Sequence, residues 1–248
     1  MGVREHYQEL LAEHYDWVFG GFEANARRAA ALLGRLELLP RGSGRALDLG
    51  CGPGYFAAPL AQAGFAVQAL DWEPTLLNAL RQRCDGLDVE VVQEDMRNAA
   101  QVCAGPVELV VCTGDSLAHL DSPREAAVVV AQCAGLLEPG GRLLLQFRDQ
   151  ARALTGPDRF LLLRSDANRI FSCMLEYGDE HVEVTDLLYE HNAAPDAAWT
   201  LRRSAYRKAR LTAGQVEAAC RAAGLDVELR VNEAGMITLL ATKPEALA

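Results

Sequence analysis

A glycine-rich loop between an apolar strand and a helix of small residues is the feature that most constrains this chain. The segment ALDLGCGPGYFAAPLAQAG, residues 46–64, places an aspartate and closely spaced glycines directly after the apolar run. Glycine permits a positive φ and has no Cβ, so a ligand can lie against the main chain. Ligands of open α/β sheets bind at the carboxyl ends of the strands. The segment therefore predicts a ligand-binding loop at the edge of such a sheet.

Short apolar strands alternate with helical segments from Arg45 onward. Strands are predicted at RALDL, FAVQAL, VEVVQE, VELVVC and RLLLQF, and Pro74 and Pro123 stand where first helical turns are expected. Because parallel neighbours need a crossover connection, this alternation indicates βαβ units and a parallel sheet. Pro139-Gly140-Gly141 is predicted to end one helix before the next strand.

The alternation stops between Arg159 and Arg210. Four strand-like runs follow one another there, separated by turn residues such as those at 192–196. Consecutive strands without helices predict an antiparallel hairpin sheet inserted into the α/β unit. After it, a helix, a strand and the terminal run MITLLAT resume the earlier pattern.

Composition excludes several classes of partner. The net charge of −10 argues against nucleic acid, and the local basic cluster is typical of a solvated strand face. That cluster consists of Arg202, Arg203, Arg207, Lys208 and Arg210. No uncharged apolar run reaches about 18 residues, and the N-terminal segment lacks a secretory core, so we expect no membrane contact. Seven scattered cysteines without a CxxC pair indicate reduced thiols, no metal and a cytoplasmic location.

The spacing of the loop separates two ligand classes. Gly50, Gly52 and Gly54 follow a GxGxG pattern, and Tyr55 stands where a dinucleotide-binding GxGxxG loop has its third glycine. The pattern therefore disfavours a pyrophosphate ligand. A nicotinamide-dependent oxidoreductase, which shares the fold layout, is disfavoured with it.

The run DLGCGPG resembles the cofactor loop of the class I S-adenosylmethionine-dependent methyltransferases, and further family features follow in order from Arg45 to Phe147 and, more weakly, from Leu211 to Thr242. The resemblance implies a Rossmann-like α/β fold with a doubly wound, mostly parallel seven-stranded sheet, whose reversed last strand is MITLLAT. It also implies that the cofactor is S-adenosyl-L-methionine and that the product is S-adenosyl-L-homocysteine.

The family pattern assigns roles to individual residues. It implies that Asp71 holds the ribose hydroxyls, that Trp72 covers the adenine and that Asp95 contacts the adenine amino group, with Met96 beside it. Tyr15, in HYDWVF, resembles a tyrosine that approaches the cofactor in small-molecule members, although packing of the helical cap explains it equally well. The implied cofactor-binding residues are Tyr15, Asp48, Gly50, Cys51, Gly52, Gly54, Asp71, Trp72, Asp95, Met96 and Thr113.

Polar residues after the fourth strand, in TGDSLAHL, are the expected catalytic groups. His119 is the preferred general base because its usual pKa lies near operating pH, and Asp115 is a second proton acceptor. Ser116, Arg148 and Tyr206 are expected to contact the substrate. The structural alternative is that Asp115 or Ser116 caps the next helix. No metal cluster is expected, since strand alternation separates the histidines and carboxylates of the insertion.

These observations predict one domain over residues 1–248. It comprises a helical cap at 1–40, a cofactor-binding core at 45–150, an inserted sheet at 158–210 that covers the acceptor or forms a dimer contact, and a C-terminal completion at 211–248. The expected function is metal-independent N- or O-methylation of a small molecule by a monomer or homodimer. GDSLAHL loosely resembles small-amine N-methyltransferases. The alternative is a protein that binds S-adenosylmethionine or S-adenosylhomocysteine without catalysis.

Overall fold

The computed structural model describes residues 2–103, 105–191, 198–233 and 235–245. Two sheets organise the chain. The strands of the larger sheet are β1 (Arg45–Leu49), β2 (Ala66–Asp71), β3 (Val89–Gln93), β4 (Val107–Cys112), β5 (Leu137–Arg148), β10 (Asp226–Glu233) and β11 (Met236–Thr242). The strands of the inserted sheet are β6 (Phe160–Ser165), β7 (Arg169–Tyr177), β8 (His181–His191) and β9 (Trp199–Ala209).

The larger sheet has the order β10-β11-β5-β4-β1-β2-β3 and is mostly parallel. Strand β11 runs antiparallel to both of its neighbours, β5 and β10. The predicted fold class, including the reversed last strand at MITLLAT, is therefore confirmed. The order reverses between β1 and β4, and this switch point is where open α/β sheets bind ligands.

Helices cover both faces of this sheet. They are α3 (Phe22–Arg35), α4 (Ala57–Gln62), α5 (Pro74–Arg83), α6 (Ala99–Val102), α7 (Pro123–Leu136) and α8 (Ala213–Ala222). Capping explains several of their starts: the Ser122 hydroxyl accepts the N–H of Glu125, and the Thr212 hydroxyl accepts that of Gln215. Proline occupies the first turn of both α5 and α7, where its missing N–H costs no helical bond.

The segment Pro139-Gly140-Gly141 departs from its prediction. It lies within β5, which begins at Leu137 directly after α7, rather than in a loop between the two. Gly140 has a φ of 76°, and the pairing of β4 with β5 shifts between Val107 and Leu109. The strand accommodates these residues through a bulge, which sequence alternation does not reveal.

The N-terminal helices form a cap over one edge of the large sheet. Helix α1 (Val3–His6) and helix α2 (Ala12–Phe19) are joined by a π-helical turn, Tyr7–Leu11. Tyr7, Leu10 and Val18 pack with Leu76 of α5 and with Phe171 of the inserted sheet. The cap thus contacts both α5, which covers the larger sheet, and the inserted sheet.

Two apolar layers enclose the larger sheet. One contains Phe147 and packs beneath α7 and α8, whereas the other contains Phe65 and packs beneath α3, α4 and α5. Among the described residues, no helix has both the length and the apolar character needed to cross a bilayer.

The inserted sheet is antiparallel throughout, as the run of strands predicted. Along β8 the side chains alternate between buried and partly exposed, and Asp186 is buried within this pattern. The turn predicted at residues 192–196 lies outside the described residues, as do positions 1 and 246–248 of the predicted domain limits.

Candidate active site

The glycine loop after β1 closes against the turn that follows β4. Gly50 has a φ of 64°, and a Cβ on it would lie 2.7 Å from the Oγ of Ser116. Gly52 has a φ of 51°, and a Cβ there would point towards the Tyr15 hydroxyl at 3.8 Å. Gly50 is therefore required by packing, whereas Gly52 keeps the main chain open to the cleft beneath Tyr15.

Asp71 joins this loop to the end of β2. Its Oδ2 accepts the N–H of Gly52 at 2.9 Å, and its Oδ1 accepts the N–H of Glu73 at 3.0 Å. Burial raises the pKa of Asp71, and the N–H groups of Glu73 and Gly52 act against that rise. An ionised carboxylate has about four lone-pair sites. Asp71 therefore keeps acceptor capacity for a pair of ligand hydroxyls.

Asp48 lies beneath the loop rather than in the cleft. It is 1% exposed, and its Oδ2 has no hydrogen-bond partner among the described residues. Burial raises the pKa of Asp48 to about 8, and the nearby charge of Asp71 adds to the rise. At neutral pH the carboxyl is mainly protonated, which lowers the cost of burying it.

The far end of the cleft is apolar, with an arginine over it. Trp72, Leu76 and Met96 line this end. The guanidinium of Arg4 lies 5.5 Å from the centre of the Trp72 ring and donates to Oδ2 of Asp95 at 2.7 Å. This pair places the cap residue Arg4 across the end of the cleft.

Asp95 itself lies outside the cavity wall, held by two arginines. Arg97 donates from its main chain to Oδ1 at 3.0 Å and from its side chain to Oδ2 at 3.0 Å, while Arg4 shares Oδ2. Burial raises the pKa of Asp95, but the hydrogen bonds and charges of Arg97 and Arg4 outweigh it, so the pKa is lowered overall. Asp95 is therefore an ionised acceptor with a partner on each oxygen.

Helix α2 is fixed to the glycine loop by Asp16. Its carboxylate accepts the Tyr55 hydroxyl at 2.8 Å and forms an ion pair with Arg83, which also donates to the carbonyl of Pro53 at 3.1 Å. Tyr55, which stands where a dinucleotide-binding loop has its third glycine, thus joins the loop to α2 through its hydroxyl. Tyr15, one residue before Asp16, is held over Gly52 as a result.

Ser116 and His119 also line the cleft, and both lie in the 3-10 turn Ser116–His119 after β4. The Ser116 hydroxyl donates to the carbonyl of Thr113 at 2.8 Å and lies 3.2 Å from that of Gly50. The Nδ1 of His119 lies 3.4 Å from the Tyr7 hydroxyl. The turn is thereby joined to both the glycine loop and the cap.

The His119 imidazole is uncharged at neutral pH. Burial lowers its pKa to about 4, the ammonium of Lys208 contributes in the same direction, and the carboxylate of Asp115 acts against them. The rings of Tyr7 and Tyr206 pack edge-on against it, with centres 5.6 and 5.8 Å away. The neutral imidazole can accept a proton, but its pKa of about 4 makes it a weaker base than the usual value near 6.5, on which the sequence-based choice of His119 depended.

Asp115 does not line the cavity. Its Oδ2 accepts the Lys208 ammonium at 2.6 Å, and its Oδ1 accepts the main-chain N–H of Arg148 at 2.8 Å. Burial raises the pKa of Asp115, yet the charge of Lys208 and the hydrogen bonds from Arg148 and Lys208 lower it overall. A carboxylate with this lowered pKa is a weak base. Neither Asp115 nor Ser116 caps a helix through its side chain, and Ser122 caps α7 instead.

The prediction of a solvated basic face was wrong for Lys208. Its side chain is 8% exposed, whereas that of Arg207 is 69% exposed. Successive side chains of a strand point to opposite faces, so Ser204, Tyr206 and Lys208 face inward. This alternation is visible in the sequence, but the face that becomes buried depends on how the inserted sheet docks.

The cavity has a volume of about 30 Å³, room for about two water molecules. It is lined by Tyr7, Tyr15, Gly50, Gly52, Asp71, Trp72, Leu76, Met96, Ser116 and His119. Tyr7 and Leu76 are the members that sequence reasoning missed, because a residue on the apolar face of a helix carries no signal that separates a site from a core.

The other predicted site residues surround this cavity without lining it. They are Asp48, Cys51, Gly54, Asp95, Thr113, Asp115, Arg148 and Tyr206. Gly54 packs its backbone near Leu80, where a Cβ would lie 3.1 Å from Cγ. Tyr206 stacks on His6 with ring centres 4.3 Å apart, and the side chain of His6 lies 3.1 Å from that of Asp186. Within the described part of the chain, no group of three or more ligating side chains is placed to hold a metal.

Comparison with known proteins agrees with this geometry. Residues 46–141 match the profile of a family described as a methyltransferase domain. The match covers 96 of the 248 residues and supports a methyltransferase domain over that range. The matched range begins in β1 and ends in β5, so it includes the glycine loop, Asp71 and the turn with Ser116 and His119.

Part of the chain also resembles curated proteins. The chain is 36% identical over 118 residues to a ubiquinone biosynthesis O-methyltransferase of Escherichia coli O7:K1 (strain IAI39 / ExPEC). This alignment covers 47% of the chain and 44% of the relative. The chain thus spans less than half the length of the relatives it matches.

Solved structures share the fold over most of the chain. CalS10, a SAM-bound amino pentose methyltransferase from Micromonospora echinaspora involved in calicheamicin biosynthesis, superposes with a TM-score of 0.74 at 23% identity, covering 88% of this chain and 91% of that one. DesVI of Streptomyces venezuelae superposes with a TM-score of 0.73 at 21% identity, covering 94% and 98%. At these identities the likeness establishes the fold, including the inserted sheet and cap that lie outside the family match.

Proposed function

We propose that this protein transfers a methyl group from S-adenosylmethionine to an amine or hydroxyl group of a small molecule, without a metal. The observation that carries the proposal is the position of His119. Its uncharged imidazole shares a cleft with the glycine loop and Asp71, which suits proton removal from an acceptor beside the cofactor. The names of similar proteins, a ubiquinone biosynthesis O-methyltransferase and an amino pentose methyltransferase, support a small-molecule acceptor.

The residues fit the cofactor on two observations. The main chain at Gly52 is open to the cleft, and the Asp71 carboxylate retains acceptor capacity for the two ribose hydroxyls. Trp72, Leu76 and Met96 offer an apolar surface for the adenine. When bound, S-adenosylmethionine supplies an electrophilic methyl group on a sulfonium sulfur.

His119 is assigned the role of general base. In the tautomer whose Nδ1–H donates to the Tyr7 hydroxyl, 3.4 Å away, Nε2 is the unprotonated nitrogen that can take the acceptor proton. Tyr7 and Tyr15 roof the cleft and exclude water from the reacting groups. Holding the acceptor in line contributes about 7 to 11 kcal/mol to such a reaction, so orientation is the main task of the site.

The narrow cavity requires movement of the cap. A volume of about 30 Å³ is too small for the cofactor; the cap residues Tyr7 and Tyr15 line the cavity, and Arg4 packs on Trp72 in its wall. We infer that the cap opens for exchange and closes for catalysis, as lids of other enzymes do. The free, mostly buried cysteines suit a reducing compartment, and a cytoplasmic location is part of the proposal.

Transfer of isotope-labelled methyl from S-adenosylmethionine to a library of small amines, amino sugars and phenols tests the function. We expect a labelled product with one acceptor class and stoichiometric S-adenosylhomocysteine. Binding of both cofactor forms without turnover of any acceptor would favour the non-catalytic alternative. An inactive His119→Gln variant that still binds S-adenosylhomocysteine is the matched control.

A further inference from the structure

Lys208 brings a charge from the inserted sheet to the turn that carries Ser116 and His119. Its ammonium donates to Oδ2 of Asp115 at 2.6 Å, and both side chains are almost fully buried. The second carboxylate oxygen accepts the N–H of Arg148 at the end of β5. One carboxylate therefore ties together the loop after β4, the end of β5 and strand β9.

The backbone of this turn needs such support. Asp115 has a φ of 73°, a left-handed conformation that most non-glycine residues avoid and that aspartate adopts occasionally. Conformations of this kind persist where the surroundings hold them. The N–H of Asp115 donates to the carbonyl of Gln146 at 3.2 Å, and the N–H of Ala209 donates to the carbonyl of Leu120 at 3.2 Å. Strand β9 thus holds the turn on both sides of His119.

We propose that Lys208 is a positioning residue for the methyl transfer: through Asp115 it fixes the turn that presents Ser116 and His119 to the cofactor loop. This inference rests on the proposed function, because His119 has a proton to accept only in that reaction. It gives the inserted sheet a part in catalysis besides covering the site.

The same ion pair controls the charge around His119. The groups that face the imidazole are Tyr7 and His6 from the cap, Tyr206 and Lys208 from β9, and Asp115 from its own turn, with Asp186 of β8 behind His6. Lys208 and Asp115 act on the pKa of His119 in opposite directions, and the lowering by Lys208 is the larger effect. Removing Lys208 alone leaves a buried carboxylate, which favours the imidazolium form.

Four variants separate the charge of Lys208 from its position. Lys208→Met keeps most of the volume and loses the charge, and Lys208→Arg keeps the charge. The double variant Lys208→Met/Asp115→Asn removes both charges. Arg207→Met is the matched control, since it removes a neighbouring cation whose side chain is 69% exposed and paired with Glu183 on the opposite face.

NMR titration of ¹³C-labelled histidine, assigned with His119→Gln, measures the imidazole directly. We expect the His119 pKa to rise by about 1 to 3 pH units in Lys208→Met. It should return to near the wild-type value in the double variant and stay unchanged in Arg207→Met. A folded Lys208→Met protein that titrates like the Arg207→Met control overturns the electrostatic part of the inference, whether or not the protein transfers methyl groups.

Methyl-transfer kinetics test the positioning part. In Lys208→Met the acid limb of kcat should move to higher pH, with KM for S-adenosylmethionine changed less than about twofold, and Lys208→Arg should restore much of the rate. In the double variant kcat should fall at least about tenfold at every pH, with the acid limb in place. Wild-type turnover by the double variant overturns the positioning role, including where Lys208→Met alone fails to fold. If the wild-type protein transfers no methyl group, both the proposed function and the positioning role are wrong. The NMR titration would still show whether Lys208 lowers the pKa of His119.

Discussion

The main-chain N–H of Gly52 donates a hydrogen bond to Oδ2 of Asp71 across 2.9 Å. The N–H groups of Gly50 and Cys51 donate to the carbonyl of Leu70, so the whole loop rests on the end of β2. The glycine loop and the carboxylate that we assign to the ribose are therefore one structural unit. A substitution in the loop is therefore expected to displace the Asp71 carboxylate, and a substitution of Asp71 to displace the loop.

Replacement of Asp71 tests the ribose assignment. Asp71→Ala should weaken S-adenosylhomocysteine binding by at least roughly 1.5 to 3 kcal/mol, about tenfold to a hundredfold, because the ribose loses a charged acceptor and the Gly52 N–H loses its partner. Titration calorimetry measures the affinity. Glu90→Ala, which removes an exposed carboxylate from the neighbouring strand, should leave it unchanged. Equal affinities for the two folded variants would remove Asp71 from the cofactor site.

Gly50→Ala tests the close packing of the glycine loop against Ser116. A Cβ there would lie 2.7 Å from Ser116, and φ is 64°, so Gly50→Ala should abolish detectable cofactor binding while the far-UV dichroism stays nearly intact. Gly86→Ala is the matched control, because its φ is 77° but nothing lies within 4 Å of the added Cβ. The control isolates the backbone cost, about 1 kcal/mol of stability. Normal binding by Gly50→Ala would contradict the close approach of loop and turn.

Features that depend on residues close together in the chain were predicted from the sequence. The glycine loop, the alternation of strand and helix and the hairpin run of the insertion each depend on neighbouring residues, and the fold they predicted is confirmed. The residues that line the cleft from other elements were harder to find. Tyr7 and Leu76 look like ordinary apolar helix residues, and Lys208 differs from exposed Arg207 only in which face of β9 it occupies. Those positions are set by docking of the cap and inserted sheet, which a local pattern does not encode.

Asp48 makes stability depend on pH. The pKa of its carboxyl is raised from 3.8 to about 8, so between these values the folded protein holds a proton that the unfolded chain has released. Its contribution to stability is therefore present at low pH and is lost as pH rises towards 8, by up to roughly 5 kcal/mol. Asp48→Asn should flatten the decline in the free energy of urea unfolding between pH 5 and 9, whereas Asp88→Asn, at an exposed carboxylate, should not. Parallel curves for wild type and Asp48→Asn would show that the carboxyl is ionised throughout.

Arg4 is expected to slow cofactor entry. Its guanidinium lies over Trp72 and occupies an oxygen of Asp95, at the end of the cleft assigned to adenine. Because the Arg4 side chain is 59% exposed, the pair is worth at most about 1 kcal/mol, so Arg4→Gln should raise the association rate of S-adenosylhomocysteine up to about fivefold. Stopped-flow tryptophan fluorescence measures the rate. Arg27→Gln, which removes an exposed pair with Glu23 on α3, is the control. Slower association in Arg4→Gln would mean that Arg4 guides the cofactor rather than obstructing it.

His119→Gln tests the base. The variant should transfer methyl about a hundredfold to ten-thousandfold more slowly while S-adenosylhomocysteine still binds normally. His181→Gln, in the hairpin of the inserted sheet, is the control and should keep wild-type turnover. Full activity in a folded His119→Gln protein would assign proton removal to water or to the acceptor itself.

The pH dependence of the same variant separates the base from the acceptor. The imidazole of His119 has a pKa near 4, so its protonation should produce an acid limb near that pH rather than near 6.5, and the limb should vanish in His119→Gln.

The pH dependence of the free energy of unfolding is a second measurement of the same pKa. Between pH 6.5 and 4 the unfolded chain binds a proton that the folded protein excludes, so stability falls as pH drops, by up to about 3 kcal/mol before allowance for the part of the ring that faces the cleft. An amine acceptor adds a limb at its own, higher pKa, and that limb should persist in the variant because it belongs to the substrate. A rate profile with only the higher limb in both proteins would therefore mean that the acceptor, whether an amine or a phenol, loses its proton to solvent and needs no base.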